Sequence, residues 1–246
     1  MTDLPTAHDV TVPGDPERGD PPSPAYAALP PGARRGVVIV HELYGRSPEV
    51  DRVVERFAAR GYAAIAPDLF HRGRLGCVRR VMRAIRHGGD IPSTRQARRA
   101  RDWLMAQAGL TAEQVGVIGF CFGGGFALLV GHDFGAVSSN YGYVPPAEQM
   151  RGLPPTIGCF GGRDRLFRGR APELRERLEA VGVPHEVHVF DTVGHSFLTD
   201  GERPFQYWVS TPVFAIRYDA EVAEQGWRRI LDFFERHLSA APPGDG

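Results

Sequence analysis

Three residues whose types and order could carry out nucleophilic chemistry stand in this chain: Cys121 in "GFCFGGG" (residues 119–125), Asp164 in "CFGGRDRLF" and His195 in "VFDTVGHSF". Glycines as dense as those around Cys121 either cradle a phosphate or allow a turn too sharp for other residues. A phosphate loop ends in Gly-Lys-Ser/Thr, and this chain has no lysine, its 29 basic residues all being arginine. The spacing also misses the dinucleotide fingerprint Gly-x-Gly-x-x-Gly. What remains is Gly-x-Nuc-x-Gly, a nucleophile elbow: a strained strand-to-helix turn that lifts its middle side chain to the top of a sheet. The start of the following helix favours negative charge, which suits a thiolate at Cys121. The competing reading is a small cysteine packed in a glycine-rich turn.

The partners separate the two readings. An elbow predicts an acid and then a histidine downstream, each on a loop after a later strand. Asp164 falls just past the apolar run "TIGCF" and His195 just past "EVHVF". An oxyanion hole would use the backbone N–H of Phe122 and one from the loop after an early strand, here "HELYG" at 41–45. His41 reads as packed or hydrogen-bonded, Cys159 as core, and Cys77 as the buried face of a helix. Tyr44, Tyr141 and Tyr143, near strand ends, are candidates to line a pocket.

The elements that must position these residues alternate. "GVVIV" at 36–40 is a continuous β-branched run, expected of a strand covered on both faces. "SPEVDRVVERFAARG" offers Ser47 as N-cap, Pro48 as first helical residue, an apolar face of Val50, Val53, Val54, Phe57 and Ala58, and Gly61 as a stop. "YAAIAP" reads as a strand, and "STRQARRARDWLMAQAG" as a helix opened by a Ser93/Gln96 capping box. "VGVI" is the strand before the elbow. "AVSSN", "TIGCF" and "EVHVF" read as strands, "APELRERLEAVG" and "EVAEQGWRRILDFFERHL" as helices. The expectation is an α/β fold with a mostly parallel, twisted sheet and helices on both faces.

The 246 residues are read as a single domain. Residues 1–35 form an N-terminal edge segment with strand-like "DVTVP" and "AYAALP". Two stretches interrupt the alternation, 71–92 and 200–218, and both follow strand ends, where open α/β sheets bind ligands. The first has helical spacing, with Leu75, Val78, Val81, Met82 and Ile85 on one side.

Zero formal net charge gives no electrostatic recruitment of nucleic acid or membrane, and no window has enough apolar residues to span a bilayer. An acidic N-terminus without an apolar stretch, and three cysteines without Cys-x-x-Cys spacing, suggest a soluble protein of the reducing cytoplasm, with no disulfide framework or zinc site. Monomer and homodimer both stay open.

Residues 36–198 resemble the dienelactone hydrolase family of α/β hydrolases. The resemblance rests on "GVVIVHELYGRSPEVDRVVERFAARGYAAIAPDLFHR", "VGVIGFCFGGGFALLV", "CFGGRDRLF" and "VGHSFL", and the cysteine in the elbow is its specific part. It implies the α/β-hydrolase fold, Cys121, Asp164 and His195 as a triad, and the Leu43 and Phe122 amides as the oxyanion hole. It also implies that Glu42 contacts the resting thiol and helps form the thiolate. Family members open an enol-lactone whose carboxylate is held by arginines. Arg79 and Arg83, four apart on one helix face, and Arg217 in the late loop are the candidates here. The expected activity is hydrolysis of small carboxylic esters or lactones through a thioester, with no metal or organic cofactor. The alternatives are a general carboxylesterase or thioesterase, or a non-catalytic binding protein with this fold.

Overall fold

The β-branched and small apolar runs form the strands of one sheet. A computed structural model describes residues 7–199 and 218–239. Among these, eight strands lie in the order β1 (His8–Val12), β2 (Ser23–Ala28), β4 (Tyr62–Pro67), β3 (Arg35–Val40), β5 (Val115–Phe120), β6 (Ala136–Asn140), β7 (Thr156–Gly161) and β8 (His185–Phe190). From β4 to β8 every pairing is parallel, whereas β1–β2 and β2–β4 are antiparallel. The two N-terminal pieces thus extend one edge of the sheet. The central strands are buried throughout, Val37 to Val40 completely, as a sheet covered on both faces requires.

Helices α1 (Pro48–Ala58), α2 (Arg74–His87), α3 (Pro92–Ala108), α4 (Phe122–Val130), α5 (Ala147–Met150), α6 (Arg170–Ala180) and α7 (Ala220–His237) cover the sheet. Helix α1 buries the face expected of it, Val50, Val53, Val54, Phe57 and Ala58. Phe57 meets the rings of Trp227 and Phe234 from α7. No helix among the described residues is long and apolar enough to cross a membrane.

Two local readings of helix starts shift. Ser47 stands at the N-cap of α1, but its hydroxyl donates to Glu49 Oε2 (2.9 Å) instead of accepting a helix amide. The Ser93/Gln96 capping box does not form, because α3 already begins at Pro92, whose fixed φ suits the first helical position. Thr94 Oγ1 accepts from the Ile91 amide (3.0 Å) instead. That places Ser93 inside the helix with its hydroxyl 3.1 Å from the Cys77 sulfur, and frees the Gln96 amide to donate to the Asp68 carbonyl (2.8 Å).

The segment 71–92 is helical over α2, and its buried face is Cys77, Val81, Ala84 and Ile85. Leu75, expected on that face, is 83% exposed, because it lies in the first turn before the helix reaches α4. Of the other expected excursion, 200–218, only Tyr218 belongs to the described residues.

Strands β5, β7 and β8 run parallel, so their C-terminal ends share one edge of the sheet. Cys121, Asp164 and His195 each follow one of these ends.

Candidate active site

Cys121 links β5 to α4 with φ 53° and ψ −113°, a region that costs a side-chain-bearing residue about 1–3 kcal/mol. Packing enforces it. A Cβ on Gly119 would overlap the Gly123 carbonyl, and one on Gly123 would overlap the carbonyls of Val40 and His41, so the chain approaches itself too closely for any residue but glycine at either position. Hydrogen bonds from β6 close the turn. The Cys121 N–H donates to the Asn140 carbonyl (3.0 Å), the Asn140 side chain donates to the Gly119 carbonyl (3.1 Å), and Ser139 Oγ donates to the Gly124 carbonyl (3.0 Å). Ser138, Ser139 and Asn140 are all buried. Their supporting role was missed in the sequence, although three polar residues running through an otherwise apolar central strand were a visible signal.

The candidate acid and the candidate base lie side by side. His195 Nδ1 lies 2.7 Å from Asp164 Oδ2, and both residues are under 5% exposed. The other carboxylate oxygen accepts the Leu166 and Phe167 amides at 2.9 and 3.0 Å, so Asp164 is held by its own turn. With Nδ1 directed at the carboxylate, Nε2 is left for the thiol. Phe167 stacks on the imidazole with centroids 5.1 Å apart and planes 12° from parallel, while Tyr141 meets it edge-on. Burial disfavours a charged imidazole here. Electrostatic attraction to Cys121 and Asp164 and the hydrogen bonds with both outweigh it and hold the His195 pKa up at about 10.

Glu42 follows the C-terminal end of β3. Its Oε1 accepts a hydrogen bond from Ser196 Oγ (3.0 Å), and buried Ser196, at φ 57°, directly follows the candidate base. His41 is fully buried, with its Nε2 accepting from the Leu69 amide (3.1 Å). Its Nδ1 therefore carries the proton and donates to the Glu42 carbonyl (2.8 Å). Burial lowers the His41 pKa, which fits a neutral ring that anchors the loop.

Cys121, His195, Glu42 and Ser196 border a cavity of about 270 Å³. Its walls are Leu43 and Tyr44 from the loop after β3, Phe122, Tyr143, Leu166 and Phe167, and Val78 and Met82 from α2. Leu43 and Phe122, the expected oxyanion donors, thus flank the thiol. Phe122 is the first residue of α4, where an amide has no acceptor within the helix.

The substrate-binding candidates divide. Tyr44 and Tyr143 are on the wall. Tyr141 is buried behind His195 rather than on the cavity. On α2 the wall is made by Val78 and Met82, while Arg79 and Arg83, each one residue and about 100° further round the helix, are exposed. Arg217 lies outside the described residues. Cys159 and Cys77 are buried, and burial raises both thiols, Cys159 to about 12.

A mostly parallel eight-stranded sheet with a glycine elbow after β5 is that of an α/β hydrolase. The model of the dienelactone hydrolase family matches residues 24–238, so the chain belongs to that family and with it to the hydrolases that act on carboxylic ester bonds. It is 26% identical over 258 residues to the carboxymethylenebutenolidase of Rhodococcus opacus, covering 96% of this chain and 94% of that one. In fold it is similar to the dienelactone hydrolase-like promiscuous phosphotriesterase P91 from metagenomic libraries (TM-score 0.74, 21% identity, 95% and 99% covered). It is also similar in fold to the dienelactone hydrolase of Anabaena variabilis (TM-score 0.64, 18% identity, 96% and 100% covered).

Proposed function

We propose that this hydrolase uses Cys121 as its nucleophile and takes small, neutral esters or lactones with an apolar acyl group. The observation that carries the chemistry is the chain of contacts from buried Asp164 through buried His195 to half-buried Cys121, with the 2.7 Å Asp164–His195 bond at its base. His195 holds the thiol proton while Asp164 fixes its tautomer and offsets its charge. Glu42, on the border of the same cavity, is an auxiliary acceptor for that proton. The thiolate attacks the substrate carbonyl, and the Leu43 and Phe122 amides receive the oxyanion, each such donor contributing on the order of 3 kcal/mol.

Collapse of the tetrahedral adduct breaks the C–O bond. The leaving oxygen takes the His195 proton, and a thioester on Cys121 remains. Water, giving its proton to His195, then attacks the thioester and regenerates the thiol together with the acid. Because a thiolate is itself a good leaving group, forward collapse requires a stable departing oxyanion such as an enolate or phenolate. The scheme needs no metal or organic cofactor, and it needs a reduced thiol, which the cytoplasm supplies.

The walls argue for the substrate. Leu43, Val78, Met82, Phe122, Leu166 and Phe167 offer an acyl group apolar contacts, and a carboxylate placed among them would lose its hydration without gaining an arginine partner among the described residues. The test is the Cys121→Ala variant with an activated phenyl ester. Turnover should drop by roughly 10³-fold or more, and intact-mass spectrometry should detect an acyl adduct on the wild type that the variant lacks. Undiminished turnover in the variant would end the proposal.

A further inference from the structure

A second cavity, of about 250 Å³, lies along α2 and shares no wall residue with the first. Arg72, Arg80 and Arg99 face it, together with His71, Ser93 and Gln96. Among the described residues the one carboxylate on its wall, Asp20, is already engaged. Its two oxygens accept from Arg95 at 2.7 and 3.1 Å, and Oδ2 also accepts from Arg99 Nη1 at 2.9 Å. Those arginines hold the Asp20 carboxyl below its ordinary range against the effect of burial.

Two buried nitrogens on this wall are left without a protein partner among the described residues. Arg99 Nε is buried and has no partner among the described residues, and the same holds for His71 Nε2. Arg72 and Arg80 make no ion pair with a carboxylate among the described residues. His71 Nδ1 lies 2.9 Å from the Asp68 carbonyl and so carries the ring proton, which leaves Nε2 as a buried acceptor. The first turn of α3, seventeen residues long, contributes Ser93 and the positive end of the helix dipole.

We infer that this cavity binds a small phosphate-bearing anion. Three guanidiniums around one space exceed what a planar carboxylate can accept, and they suit the oxygens of a tetrahedral dianion. A buried imidazole acceptor beside them suits the hydroxyl of a hydrogen phosphate, and the volume leaves room for a few carbon atoms as well.

The test is isothermal titration of the full chain with inorganic phosphate and, separately, with methyl phosphate at matched ionic strength. Saturable one-site binding is expected, weakened about tenfold or more in Arg80→Gln and in Arg72→Gln, since each removes a charge-assisted contact. Arg86→Gln, an exposed position of α2 off this wall, should bind as the wild type does, and so should Cys121→Ala, which separates this site from the proposed catalysis. Tighter binding of methyl phosphate identifies a phosphate monoester as the ligand class; tighter binding of inorganic phosphate identifies the free ion. No saturable heat up to about 10 mM of either ligand overturns the inference. Equal weakening by Arg86→Gln does so too, because it reduces the effect to general positive charge.

Discussion

Two cavities of nearly equal size flank α2 and differ in almost everything else. One is walled by aliphatic and aromatic side chains around a single reactive cluster. The other is lined by three guanidiniums, with the buried Arg99 Nε lacking a partner among the described residues. The difference arises within one helix. Val78 and Met82 repeat at i and i+4 on one face, while Arg80 lies about 200° round the helix from Val78 on the other. An arginine-rich segment therefore does not make a cationic substrate pocket, because the pitch of the helix decides which cavity receives the charge.

The comparison breaks most sharply at the proposed catalytic cluster. Asp164→Asn should keep the fold and the apolar cavity but lower kcat for an activated ester by about 10⁴-fold, since the imidazole loses the acceptor that fixes its tautomer. Steady-state kinetics alongside circular dichroism check this, and a loss under tenfold would remove Asp164 from the scheme.

A smaller effect tests the apolar wall. Met82→Arg carries the chemistry of one cavity into the other, and kcat/KM for a neutral phenyl ester should fall by roughly 10- to 100-fold through lost apolar contact. An ester bearing a free carboxylate should lose less or gain. If both substrates responded alike, the acyl group would not sit against α2.

The smallest effect concerns stability. The folded-state pKa of His195 stands at about 10, above its ordinary 6.5: burial opposes the charge, and attraction to and hydrogen bonds with Cys121 and Asp164 outweigh it. A raised histidine stabilises the fold fully below the ordinary value, and the contribution fades as pH rises through about 10. Melting temperature should thus decline from neutral pH towards pH 10 more steeply in the wild type than in His195→Gln. Parallel curves would show that the imidazolium contributes nothing to the fold.

The parts of the site that depend on local geometry were legible in the sequence. Glycines at 119 and 123 around a cysteine could only mean a constrained turn once phosphate loops were excluded, and Asp164 and His195 declared themselves by lying just past apolar runs. The positions that depend on helix phase were not legible. Leu75 fits the apolar stripe of α2 by spacing, yet it lies a turn too early to reach the body of the protein. Pro92 outcompeted Ser93 for the start of α3 and so moved Gln96 from a cap to a partner of the Asp68 carbonyl. The arginines of α2 could be counted but not aimed, because a single residue turns a side chain by 100°. The polar run of β6 looked like an ordinary strand, since its partners are backbone carbonyls of another strand and of a helix.

That polar run has a consequence for when the thiol can react. The bonds that close the elbow reach back 15 residues from Ser139 to Gly124 and 21 from Asn140 to Gly119, so the heptapeptide around Cys121 cannot adopt its geometry alone. A nascent or partly unfolded chain therefore carries an ordinary cysteine. On the proposed mechanism the nucleophile comes into being only when β6 docks, which ties its chemistry to the cooperative completion of the sheet.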